Sequence, residues 1–399
     1  MKRILAILLT CALVLAAASA LADDSGAKYT MDTTDTTVLQ NVPDRYISYN
    51  VDDLSVNPAI AGESTTTGLP LADGTAYTPM LVQISNPDAN YTYNGQKTVG
   101  GGIGVRAPWG GQYADIVYEG VLYRTGQTRI TFLFSDSFAE GQPISVGPVR
   151  SARMGHVLLR EEWQGGIVYA GGPHAEENNI AAAFAELGAS TKGVTFNLLD
   201  NNYKSYKNRV SGVKAPDNYN VNVVGIRSLV PATTVSRITT RPFLFSDTSP
   251  YIDGYESAYS INLDWGHSKY LSHFYYDETE NLYLRYSGNA PYMSFASADD
   301  REEANMVQMS FSNVIIQRVF YNYTDNNKIM PVMQSIGQGN ADIFIGGRYI
   351  PGYWVRESIE SPTVFFDDKG NEIQLTRGKT FIANFPPEGL LTYGMNSAF

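Results

Sequence analysis

The chain has 399 residues, 29 basic against 40 acidic side chains, and a formal charge of −11. That balance excludes generic nucleic-acid binding, which needs a basic footprint to displace counterions, and electrostatic docking on an anionic membrane. The single cysteine, Cys11, lies in an N-terminal apolar run, so a chain that has lost this run has neither disulfides nor Cys-ligated metals.

Lys2 and Arg3 form a short basic start, residues 4–22 are uncharged and mostly apolar, and Ala20-Leu21-Ala22 stands ahead of Asp23-Asp24. Basic start, apolar centre and small residues at the cleavage position predict a secretory signal peptide over 1–22. Losing Lys2 and Arg3 with it takes the charge from −11 to −13. No later stretch is long and apolar enough to span a bilayer, so no transmembrane segment is expected in the mature chain. The Asp/Thr/Asn-rich residues 23–56 read as a linker or flexible arm.

Residues 57–245 alternate strand-like and helical patterns. Residues 80–84 read as a buried strand. Ile116, Val117, Val121 and Leu122 form an apolar helical face over 114–123. Residues 129–134 are strand-like, 149–163 helical, 166–170 a short strand, and 174–187 an Ala-rich helix stopped by Gly188. This repetition predicts an N-terminal α/β layered domain with a mostly parallel sheet. Residues 188–222 lose the pattern and read as a long loop.

Residues 246–385 carry short aromatic strands at 271–276, 282–286, 313–320, 342–345, 349–355 and 363–366, with turns at Gly346-Gly347 and Asp368-Lys369-Gly370-Asn371. A C-terminal, mainly antiparallel β domain is expected, giving an α+β or α/β class overall, with residues 386–399 as a tail.

Several segments resemble the YerB-like lipoprotein family. They are Ala114-Asp115-Ile116-Val117-Tyr118-Glu119, Thr128-Arg129, Gly147-Pro148-Val149-Arg150-Ser151-Ala152-Arg153 and Tyr169-Ala170-Gly171-Gly172. Gly352-Tyr353-Trp354, Ser361-Pro362-Thr363 and Gly378-Lys379-Thr380 match the family's C-terminal pattern. The resemblance spans residues 57–385 and implies an envelope location and a two-part architecture, with no established catalytic mechanism. There are two departures. The family's Lys-x-Pro-His-Asn stands here as Lys214-Ala215-Pro216-Asp217-Asn218, without the histidine. Cys11 follows Thr10 and comes too early in the apolar run for a lipidation site, so release after cleavage is expected ahead of lipid anchoring.

Two junctions carry candidate chemistry. Arg150, Ser151 and Arg153 sit where a strand hands over to a helix, and with Arg129 they could cradle a phosphate or carboxylate. The bland alternative pairs Arg150 and Arg153 internally with Asp115 and Glu119. Gly171, Gly172 and His174 lie at the second junction, where glycines admit a close backbone approach. In an open α/β sheet both junctions fall at the carboxyl ends of strands, where ligands gather. Asp115 and Glu119, four apart, could share one helix face as acid and base together with His174. Neither a metal site nor a cofactor fingerprint is found. Gly337-Gln338-Gly339 has no helix after it, and Asp325-Asn326-Asn327 lacks a full calcium loop.

These readings lead to an exported cell-envelope protein that binds an anionic ligand, such as a cell-wall fragment, or an envelope partner protein. The alternative is a hydrolase or lyase acting on a cell-wall polymer, with Asp115, Glu119 and His174 as acid/base candidates.

Overall fold

The computed structural model describes residues 60–71, 77–86, 91–93, 96–98, 107–135, 144–174, 178–238, 243–267, 270–288, 290–323 and 330–395. The expected signal peptide over 1–22 with Cys11, the arm over 23–56 and the turn Asp325-Asn326-Asn327 lie outside them.

The strands that position the site are β1 (Met80–Ser85), β2 (Ile116–Val121), β3 (Thr128–Phe134), β4 (Gly166–Tyr169), β5 (Thr195–Asn197) and β6 (Glu256–Ser257). They are followed by β7 (Ser260–Asp264), β8 (Leu271–Asp277), β9 (Leu282–Ser287), β10 (Asn313–Arg318) and β11 (Gly337–Ile345). The last are β12 (Arg348–Arg356), β13 (Val364–Asp367), β14 (Thr380–Phe385) and β15 (Leu390–Gly394). Two helices matter here, α1 (Met154–Trp163) and α2 (Ile180–Glu186).

One 11-stranded sheet runs through both halves of the chain in the order β6-β12-β11-β10-β14-β2-β3-β1-β4-β5, with β13 beside β12. It is mixed, not mostly parallel. β14 lies parallel to both β10 and β2, and β4 is parallel to β1 and β5. The remaining pairings are antiparallel, including β2 with β3 and β3 with β1. The reason is loop length: only residues 122–127 join β2 to β3, too few for the crossover a parallel pair requires. A second, antiparallel sheet contains β9-β8-β7-β15. β15 falls in the segment read as a tail, and it pairs with β7 throughout.

Residues 114–123 are a strand, not a helix. Ile116, Val117, Tyr118 and Glu119 are all buried, because this central strand is covered on both faces. A continuous apolar run of that kind also fits a helical spacing, and β-branched Ile116 and Val117 favour the strand. One face of β2 meets the second sheet, where Phe274 and Phe381 pack with ring centroids 4.8 Å apart and Trp265 meets Phe385 at 4.7 Å. The opposite face carries α1, whose Trp163 indole N–H donates to the Tyr118 hydroxyl at 3.0 Å. Tyr169 and Phe184 draw α2 onto the same side.

Both helices are shorter than their patterns predict. Residues 149–153 are extended because their backbone is held from two sides. Arg150 donates to the Gln83 carbonyl at 2.8 Å, and its own carbonyl accepts from Ala170 at 2.9 Å. α2 begins after Asn179, whose side chain accepts from the Ala182 N–H as an N-cap. Residues 188–222 supply β5 and two further short strands, Lys207–Arg209 and Tyr219–Asn222.

The two sheets are tied by an ion pair with no access to water. Glu119 of β2 meets Arg285 of β9 at 2.8 Å, with side chains 0% and 1% exposed. Thr128, Ser272 and Asn86 complete the carboxylate at 2.6, 2.7 and 2.9 Å, and the guanidinium lies 3.9 Å over the Tyr292 ring. Removing one partner leaves the other charged and buried. Arg285→Met is therefore expected to destabilise the protein by about 3–5 kcal/mol in denaturant titration, and Arg285→Met with Glu119→Leu to recover part of that loss.

Candidate functional site

The carboxyl ends of β1, β2, β4 and β14 fall at one edge of the main sheet, as their parallel and antiparallel registers require. A small cleft of about 20 Å3 opens there. Its floor is the α1-side face of the sheet, with Gly120 on β2, Arg129 and Thr131 on β3, and Asn384 on β14. The first turn of α1 brings Arg153 and His156, while Leu159, Pro331 and Met333 form an apolar wall. Arg356 sets the height of the helix over the sheet. Its fully buried guanidinium bonds the Leu158 carbonyl at 2.9 Å and Glu162 at 3.2 Å.

Arg129 is 5% exposed, and among the described residues its Nε and Nη1 have no hydrogen-bond partner; neither does Nε of Arg153. Burial, then Arg150 and Arg153, push the Arg129 guanidinium down to about 9, so it is still a cation at neutral pH. Arg153 is also lowered, by burial first, with Tyr123 opposing. It holds position by donating to the Ala152 carbonyl at 2.8 Å and the Tyr123 hydroxyl at 3.3 Å. No Asp or Glu occurs among the described residues that line the cleft. Unpaired buried cations are costly, and a bound anion would relieve that cost.

His156 contributes a neutral ring. Its Nδ1 accepts the Arg153 backbone N–H at 2.9 Å, which puts the proton on Nε2 as a donor. Burial, with Arg129 and Arg153, holds this imidazole well below its ordinary range. Tyr321 is a fixed strut, donating to the Asn384 carbonyl at 2.6 Å and accepting the Val121 N–H at 3.1 Å. Burial keeps its phenol protonated.

Of the residues singled out by sequence, Arg129 and Arg153 line the cleft together. Arg150 stands behind them in an ion pair with Asp217, the position where the histidine of the resembling family is missing. The carboxylate is buried, and the Arg150 side chain is 25% exposed. The segment read as a loop delivers Asp217, because the Tyr219 carbonyl accepts from Val149 at 2.8 Å. Ser151 turns away and donates to the Ala170 carbonyl. Gly171 and Gly172 serve packing. The Gly171 N–H is taken by Asn197, and a Cβ on Gly172 would come within 2.9 Å of Ile180.

His174 is exposed and outside α2, and it is not among the cleft residues. Asp115 accepts the Ser135 N–H at 2.6 Å, and Glu119 faces the second sheet. The three acid/base candidates therefore do not meet. Neither carboxylate pairs with the arginines of the cleft, since Glu119 binds Arg285 and Arg150 binds Asp217. Sequence reasoning missed His156, Tyr321 and Asn384. For His156 a signal existed: three residues after Arg153, it occupies the N3 position of α1, where side chains reach back to the N-cap backbone.

The fold and site define a three-layer protein, with helices, a mixed sheet and an antiparallel sheet, and an arginine-lined cleft between the first two. Residues 103–236 match the model described as "Protein of unknown function (DUF3048) N-terminal domain", and residues 261–382 match its C-terminal domain. The crystal structure of the YerB protein from Bacillus subtilis is similar at a TM-score of 0.61 and 23% identity, covering 83% of this chain and 99% of that one. No curated protein matches the chain. The chain belongs to the YerB-like DUF3048 family.

A neutral buried histidine costs stability in acid. Its folded value lies below the unfolded one near 6.5, so below about pH 6.5 the unfolded chain binds the proton first and stability falls. His156→Gln should flatten this slope relative to wild type, by up to about 1.4 kcal/mol per pH unit, in chemical denaturation between pH 7 and 5. His273, pushed down to about 4 by burial, has the same sign and leaves a residual slope in both.

Proposed function

We propose that this is an exported cell-envelope protein that binds a small anionic ligand, or the anionic group of a wall-associated partner, in the cleft between α1 and the sheet. The observation that carries the reading is Arg129, a buried guanidinium without an ion pair among the described residues, beside Arg153 and the Nε2 donor of His156. Charge-assisted bonds from arginine are the strong ones, and α1 adds the positive end of its dipole. The N-terminal signal pattern supports export. No described helix is long and apolar enough to cross a membrane. The enzymatic alternative has less support, since Asp115, Glu119 and His174 share no site and no carboxylate is described in the cleft.

The test separates a ligand site from a structural cluster. If Arg129 serves a ligand, Arg129→Met removes an uncompensated buried cation. The free protein should then melt at the same temperature or higher, while stabilisation by carboxylates and phosphates disappears. For wild type, a ligand at a hundred times its Kd should add about 2.7 kcal/mol. A variant that melts well below wild type and keeps its ligand response would make Arg129 structural and remove the site.

A further inference from the structure

The chemical class of the ligand can be taken further, an inference that rests on the anion-site reading above. Three arginines converge at the start of α1, and they are not equivalent. Arg150 already has a carboxylate, Asp217, whereas Arg129 and Arg153 have none among the described residues. The charge offered to a ligand is therefore that of two guanidiniums, with His156 adding a neutral donor. Leu159, Pro331 and Met333 also line the cleft and give it an apolar part with no cation.

We propose that the cleft takes a monocarboxylate on an apolar carbon skeleton in preference to a phosphate dianion, and that Asp217, acting through Arg150, sets this preference. A phosphate presents oxygens on every side, and those turned toward Leu159, Pro331 and Met333 would lose water without gaining donors. A carboxylate has one charged end, which fits the arginine side, and its carbon body covers the wall. The α1 N-terminus is not the basis of the site. That basis is Arg129, whose guanidinium is more than nine-tenths buried, has Nε and Nη1 without a partner among the described residues, and belongs to the cleft lining.

The link from Asp217 to the cleft is both geometric and electrostatic. Arg150 is held on the Gln83 carbonyl, and the Gln83 side chain accepts the Thr131 hydroxyl at 2.8 Å on the cleft floor. After burial, Arg150 and then Arg153 lower Arg129, while Tyr123 and, to a smaller degree, Asp217 oppose them. Removing the carboxylate frees a third positive charge at the same end, which favours ligands of higher charge.

Calorimetric titration of the full chain with acetate, butyrate and inorganic phosphate tests this. In wild type, butyrate should bind tighter than acetate by about fourfold per added methylene, and tighter than phosphate. N-acetylleucine against butyrate separates a peptide C-terminus from a free acid as the source of the carboxylate, and N-acetylleucine amide should not bind. In Asp217→Asn the phosphate-to-butyrate affinity ratio should rise about tenfold, the order expected for one unit charge acting across roughly 10 Å of partly solvated protein, and in Arg150→Gln it should fall. Both are ratios within one variant, so a general loss of folded protein does not move them. Phosphate binding tighter than butyrate in wild type, with both lost in Arg129→Met, would overturn this inference and leave the anion site standing. A ratio unchanged in Asp217→Asn would remove Asp217 from the specificity. Absence of binding by all these anions would overturn the site reading itself.

Discussion

The buried pair between Glu119 and Arg285 constrains the rest of the molecule. Two ions sealed from water cannot drift apart cheaply, so β2 and β9 are held in one relative position. β2 is also the middle of the larger sheet, with β14 on one side and β3 on the other. Its alternate side chains point the opposite way, into the helical layer, where Tyr118 meets Trp163 and Gly120 floors the cleft. Anchoring one face of this strand therefore fixes the other. Arg356 does the complementary task, setting α1 at a fixed height above that floor.

The fold was partly legible in the sequence. Short strands bounded by turns, such as Leu282–Ser287 and Arg348–Arg356, stand close to their predicted positions, because local alternation and glycine turns are local signals. What misled was burial. Residues 114–123 are apolar on both sides because β2 is covered on both sides, and that erases the alternation that marks a strand. The mixed pairing was not legible either. β14 inserts between β10 and β2 from more than 250 residues away from β2, and nothing local announces it.

For the site, arginines were the readable part. Arg129 and Arg153 share the cleft because the string from Gly147 to Arg153 leads into a helix beside β3. The partners were not readable. Glu119 and Asp217 are both carboxylates that could have met either arginine, and only the three-dimensional arrangement sends one to Arg285 and the other to Arg150. That allocation gives the cleft its character. Arg285, matched with a carboxylate, is structural, whereas the unmatched Arg129 and Arg153 are a strain on the resting protein, tolerable because other buried contacts exceed it.

The position of β14 has a consequence for how the polypeptide reaches its final form. Until Thr380–Phe385 is in place, β2 and β10 face each other across a gap one strand wide, each with a row of unpaired backbone groups. A chain emerging from its N-terminus must keep both edges from pairing elsewhere until residues 380–385 arrive. Closure is thus a late, long-range event of the kind that slows folding. A nascent or clipped form of this protein is a two-edged template for aggregation, and its safety depends on the C-terminal strands arriving.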